Sequence, residues 1–195
     1  MTQIRYALKK IFIALAITTI LFSCNQQKEQ KVSRMSFTVN DSLLSKRYVD
    51  TKLNLVFSPP KGFNEVEKSI SNTKLLDSLS GLELEHKKVF FNKDDTALIV
   101  VSKVNETLAV KQLVKKNRSY IDKKWTKPLF SEFYSNAIRF NQFILLDDKY
   151  VVFKLMIKPN KELVEINYII PKNNYNEAFA KRIESSLGTI NRVNI

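Results

Sequence analysis

The chain has 195 residues, a formal charge of +13 and an apolar share of 44%, enough for one packed domain plus a tail. Its three glycines (Gly62, Gly81 and Gly188) argue against glycine-rich phosphate loops, propeller blades and β-helical repeats. A single cysteine, Cys24, and a single histidine, His86, leave no disulfide framework and no thiolate metal site.

In chain order, Arg5, Lys9 and Lys10 form a basic head ahead of an apolar run from Ile11 to Phe22. Twelve residues fall short of the roughly twenty that a membrane-spanning helix needs, and the arrangement matches a secretory signal peptide over 1–23. Leu21-Phe22-Ser23-Cys24 closes the run and resembles the lipobox of bacterial lipoproteins. The resemblance implies cleavage after Ser23, a diacylglyceryl group on the sulfur of Cys24 and acylation of the freed amine. Two or three acyl chains anchor stably where one is marginal, at about 0.8 kcal/mol per buried methylene. Loss of 1–23 leaves about +10, a charge attracted to anionic lipid or lipopolysaccharide phosphates; nucleic acid is not expected at an exported lipoprotein. The Lys- and Asn-rich, Gly-poor composition resembles that of Bacteroidetes lipoproteins. Asn25 after the cysteine favours the outer membrane by resemblance to the enteric sorting rule, and the single acid in Gln26-Gln27-Lys28-Glu29 favours its periplasmic face. Residues 24–48 read as the lipidated N-terminus and a flexible tether, with a globular domain over 49–195.

Leu53–Phe57 reads as the first strand, stopped by Ser58-Pro59-Pro60-Lys61-Gly62. Leu75, Leu76, Leu79 and Leu82 share a helix face. Lys88–Phe91 and Thr96–Val104 are strands flanking a turn at Asn92-Lys93-Asp94-Asp95. A helix follows, with Val110, Leu113, Val114, Tyr120 and Ile121 as its apolar stripe and Asn105 as N-cap. Ala137–Leu146, Tyr150–Lys158 and Leu163–Ile170 form an antiparallel meander. Lys154 and Lys158 alternate with Phe153, Leu155 and Ile157, which predicts one wet face and one dry. Pro171 ends the last strand. Asn174 caps a closing helix, with Glu177 three residues on and Tyr175, Phe179, Ile183, Leu187 and Ile190 facing the sheet.

The expected fold is therefore α+β: one antiparallel sheet covered by two or three helices. Phe57-Ser58-Pro59-Pro60-Lys61-Gly62-Phe63, with Tyr168-Ile169-Ile170-Pro171 and Ile183-Glu184-Ser185-Ser186-Leu187, resembles PsbP-like domains, which include DcrB-type lipoproteins. That resemblance implies a non-enzymatic binding or accessory role and transfers no site residues.

Chemistry-bearing residues are sparse. His86 lacks a second histidine or a serine motif and reads as a surface residue at a strand edge. Asp94-Asp95 and Asp147-Asp148 suit turns and lack a calcium-loop spacing. No catalytic set, metal site or cofactor is expected. Lys111, Lys115, Lys116, Arg118, Lys123 and Lys124, beside Trp125, form a basic face suited to an anionic membrane surface. Asp41-Ser42-Leu43, Asp77-Ser78-Leu79 and Asp95-Thr96-Ala97 resemble O-glycosylation acceptors of Bacteroidetes envelope proteins. The expected role is an accessory protein or binder, with an envelope protein among its candidate partners. The alternative is a carrier with a Phe- and Leu-lined cleft for a lipid-like ligand.

Overall fold

The computed structural model describes residues 32–67 and 73–193. The expected signal segment 1–23, with Ser23, and Cys24 as the expected lipidation site lie outside them. The described part forms one α+β unit. Its strands are β1 (Ser33–Arg34), β2 (Tyr48–Asp50), β3 (Leu55–Phe57), β4 (Asn64–Val66), β5 (Leu84–Asn92), β6 (Ala97–Val104), β7 (Leu129–Ser135), β8 (Ile138–Leu146), β9 (Tyr150–Ile157) and β10 (Val164–Pro171). Its helices are α1 (Thr73–Leu79), α2 (Val110–Lys124) and α3 (Glu177–Gly188). Among the described residues, eight strands make one sheet in the order β1-β7-β8-β9-β10-β6-β5-β4, and β2 pairs with β3 alone.

The sheet is the middle of three layers. Alternating residues of β10 divide between two cores: Val164, Ile166, Tyr168 and Ile170 join Phe179, Ile183 and Leu187 of α3 and Tyr48, Leu55 and Phe57 of β2–β3. On the opposite face, Ile169, Val152 and Met156 meet Leu76 and Leu79 of α1 and Leu113 and Ile121 of α2. A strand covered on both faces loses its wet side, and every residue of β10 from Val164 to Ile170 is buried.

Every strand pair is antiparallel except the two-residue β1, which runs parallel to β7 with Ser33 opposite Phe133. The short strands β1 and β4 close the two edges of the large sheet, which limits edge-to-edge pairing with other chains. The globular unit thus takes in residues read as tether. Met35 N–H donates to Tyr134 O at 2.9 Å, and Phe37 packs edge-on to Phe133 at 5.7 Å.

Several local readings are corrected. The first strand of the Leu53–Phe57 stretch starts at Leu55, because Asn54 is left-handed (φ 53°) and makes a turn with β2. Strand β7 had no clear periodic signal. It is joined to β8 through Asn136 and Ala137, both at positive φ (48° and 58°), which is the twist a two-residue hairpin needs. Asn-Ala hides that turn because it lacks glycine. The Asn136 side chain also donates to Gly188 O and Ile190 O, at 3.0 and 2.9 Å, closing the C-terminal end of α3.

Helix α2 starts after Ala109, not Asn105; the Ala109 N–H donates to Gln112 Oε1 at 3.2 Å, half of a capping box. Asn105 lies too far upstream to reach the first turn, and its N–H instead donates to Glu83 O at 3.0 Å. Helix α3 is capped by Asn176, whose side chain accepts from Phe179 N–H at 2.9 Å, and not by Asn174, which sits in a preceding 3-10 turn. Asn176→Ala is expected to lower stability by about 1 kcal/mol, read as a shifted urea midpoint. Asn174→Ala should leave that first-turn bond intact, since its amide serves Asp95 O instead, at 2.7 Å. Gly62 is required by geometry: its φ is +91°, and an added Cβ would stand 2.8 Å from Asn92 Nδ2.

Candidate functional site

Helix α2 buries Leu113, Asn117 and Ile121, spaced four apart, and thereby turns its other side outward. Lys111, Lys115, Lys116, Arg118, Lys123 and Lys124 are all exposed. They do not form a uniform field of free charge. Lys116 Nζ donates to both Glu106 oxygens at 2.9 and 2.8 Å. That hydrogen bond is the main cause holding the Glu106 carboxyl below its usual range, with burial opposing it. The Arg118 guanidinium lies 4.9 Å from the Phe130 ring centroid, and its Nε is 3.9 Å from Asp122 Oδ2. Lys111, Lys115 and Lys123 make no ion pair among the described residues.

Trp125 is a correction. It is only 9% exposed, belongs to the core beneath α1 and α2, and its Nε1 donates to Ser78 O at 3.3 Å. An indole so held cannot lie on a membrane interface as an aromatic anchor. Its visible edge instead lines a cleft of about 640 Å³ at the C-terminal end of α2. The walls come from four separate segments: Ser78 of α1, the link Lys124–Lys127, the β8–β9 turn at Leu146–Asp148, and Lys172. Asp147 is occupied there as turn chemistry demands, its Oδ1 accepting from Lys149 N–H at 2.7 Å and Tyr150 N–H at 2.6 Å.

The predicted wet face of β9 is half wrong. Lys158 is exposed, but Lys154 is completely buried, on the face of Val152 and Met156 that α1 and α2 cover. Its Nζ lies 2.5 Å from Glu165 Oε2 on β10, with both side chains at zero exposure. Around this ion pair sits a polar layer inside the core. Ser80 Oγ donates to Glu165 Oε2 at 3.1 Å, and Asn167 Nδ2 donates to Glu165 Oε1 at 2.8 Å. Asn117 of α2 accepts from Gly81 N–H at 3.2 Å. Burial pushes the Lys154 ammonium below its ordinary range, and Glu165 offsets part of that. Five residues from four separate segments meet here, so no local motif announces the layer.

His86 stands on β5 where a bulge falls between His86 and Lys88 and where β4 no longer pairs. Its Nδ1 is 2.8 Å from Ser102 Oγ on β6, a partner the sequence alone does not flag. Ser102 has no exposed surface, so its hydroxyl cannot meet a substrate. Asp95 is bound by Asn92 Nδ2 at 2.8 Å and Arg182 Nη1 at 3.0 Å, which ties the β5–β6 turn to α3. Of the three acceptor-like triplets, Ser42 and Thr96 are exposed while Ser78 is half-buried at the cleft.

No protein-family model matches the chain, and neither does any curated protein. Among solved structures the chain is similar to the solution structure of cyanobacterial PsbP (CyanoP) from Synechocystis sp. PCC 6803. The two share 13% identity with a TM-score of 0.47, over 81% of this chain and 97% of the other. A likeness at that level transfers neither a role nor a site.

All six α2 cations are exposed, but only Lys124 reaches the cleft. The sequence signal that could have found the cleft is the string Lys124-Trp125-Thr126-Lys127, where two cations flank the chain's sole tryptophan.

Proposed function

We propose that this chain is a lipid-anchored protein of the cell envelope with a non-catalytic accessory or binding role, on the periplasmic side of the outer membrane. The observation that carries the reading is the position of the chain's single cysteine, immediately after Leu21-Phe22-Ser23 at the end of a short apolar run behind a basic head. Acyl chains on Cys24 hold the domain at a bilayer, and Lys111, Lys115 and Lys123 of α2, without an ion pair among the described residues, favour anionic head groups or lipopolysaccharide phosphates nearby. Two further features support a binder over an enzyme. The hydroxyl beside the only imidazole is sealed in the core, and Asp94-Asp95 and Asp147 are engaged in turns. The cleft is lined by Lys, Asp, Ser and Thr around one indole and Leu146, which favours a charged ligand over the lipid-like cargo of a carrier.

Mass spectrometry of the native product tests the anchor: an N-terminus at Cys24 carrying acyl chains is the expected result. An intact leader, or a bare thiol at that position, would overturn it. Cys24→Ala should move the protein from the membrane fraction to the soluble periplasm or leave it unprocessed. For that variant, binding to vesicles should require anionic lipid and weaken with salt; equal binding to neutral vesicles counts against the role given to α2.

A further inference from the structure

The cleft beside Trp125 has the size of a small-molecule site, about 640 Å³ against a usual range of roughly 300–1,000 Å³. Three lysines line it from two stretches of the chain: Lys124 and Lys127 around the end of α2, and Lys172 after β10; the Lys124 Nζ also lies 6.0 Å from the Tyr120 ring centroid. None of the three makes an ion pair among the described residues, so no carboxylate there competes for an incoming anion. Lys127 holds a left-handed backbone (φ 53°) ahead of Pro128, a conformation seldom adopted by a lysine.

The remaining lining is of a different kind. The indole is fixed by its bond to Ser78 O and offers its exposed edge as an apolar contact. Because Asp147 is committed to its own turn, Asp148 is the carboxylate left to accept a hydroxyl. Ser78 and Thr126 add hydroxyl oxygens at the rim. A rigid aromatic edge, hydroxyl-binding oxygens and a cluster of cations together match a sugar ring that carries an anion.

We propose that this cleft binds a phosphate-bearing saccharide, with the sugar beside the exposed edge of Trp125 and the phosphate held by Lys124, Lys127 and Lys172. The inference rests on the cleft and stands whether or not Cys24 is acylated, so its failure and the failure of the anchor are separate results. Trp125 is the only tryptophan in the chain, so its emission reports this one place. Titrating N-acetylglucosamine 1-phosphate into the full-length protein in detergent should give a saturable change in that emission. Neutral N-acetylglucosamine and inorganic phosphate should each bind at least about tenfold more weakly. Lys127→Asn, which removes the charge yet tolerates a left-handed backbone, and Lys172→Gln should each weaken the sugar phosphate by about tenfold, with circular dichroism unchanged.

The absence of a saturable change at millimolar ligand would overturn the proposal. So would equal binding of the neutral sugar, equal binding of phosphate alone, or full affinity in both lysine variants. Presenting the same sugar phosphate as a glycolipid head group in micelles separates the sources. Tighter binding than the free compound assigns a membrane glycolipid, and equal binding assigns a soluble ligand; either upholds the site.

Discussion

Glu165→Leu is expected to destabilise the domain by about 3–5 kcal/mol, because it leaves the Lys154 ammonium buried without its counter-charge. The two groups are 2.5 Å apart at zero exposure, so neither can turn to solvent. Lys154→Met should cost less, since Ser80 and Asn167 still donate to the remaining carboxylate at 3.1 and 2.8 Å. The double variant Lys154→Met/Glu165→Leu should recover most of the loss, as apolar replacements of buried pairs usually do. It stops short of a gain because Ser80 and Asn167 then lose an acceptor. Urea unfolding with an unchanged m value reads all three; a wild-type midpoint for Glu165→Leu would refute the account.

The same pair makes a signed prediction for alkaline pH. Burial lowers the folded-state pKa of Lys154 from an ordinary value of about 10.4. Between the folded and unfolded values the unfolded chain binds the extra proton, so stability rises with pH through that window. Tyr168 and Tyr48 act the other way. Burial raises both phenols, so above about pH 10 the folded state holds more protons and stability falls. The double variant at 154 and 165 should lose the rising limb, and Tyr168→Phe should flatten the falling one, despite forfeiting its 3.0 Å hydrogen bond to Ser186.

Phe57→Ala is the second large effect, about 3–5 kcal/mol. Phe57 has no exposed surface and stands edge-on to two other rings, Tyr48 at 5.6 Å and Phe90 at 5.8 Å, which themselves meet at 5.4 Å. Tyr48 and Phe57 belong to the separate β2–β3 pair, and Phe90 belongs to the large sheet. This triangle therefore fastens the small sheet to the large one. A two-stranded ribbon is marginal without such packing, so amide exchange should accelerate first at β2 and β3 in Phe57→Ala. Exchange that speeds up equally across β8 and β9 would mean that the cluster carries no special role.

Much of the architecture was legible in advance. Strands β6, β8, β9 and β10 and helix α3 carry strong periodic patterns, and the α+β arrangement followed from their order. Leu84–Lys87 was missed as the first half of β5, because its charges mask the alternation and the bulge at His86/Lys88 shifts the register. Strand β7 was missed because its turn uses Asn136 and Ala137 in place of glycine.

The proposed leader with its cysteine, and the run of cations on α2, are made of contiguous residues, so the chain's own order was sufficient to raise them as candidates. Whether a polar position is wet depends on what covers it, and that cover arrives from elsewhere in the chain. Alternation on β9 put Lys154 opposite Phe153 and Leu155 correctly, yet α1 and α2 roof over the side it points to. The same roof took Trp125 into the core and left only an edge of it in the cleft. Residue spacing encodes which side a group faces; only the packing of distant segments decides whether that side meets water, a counter-charge or a ligand.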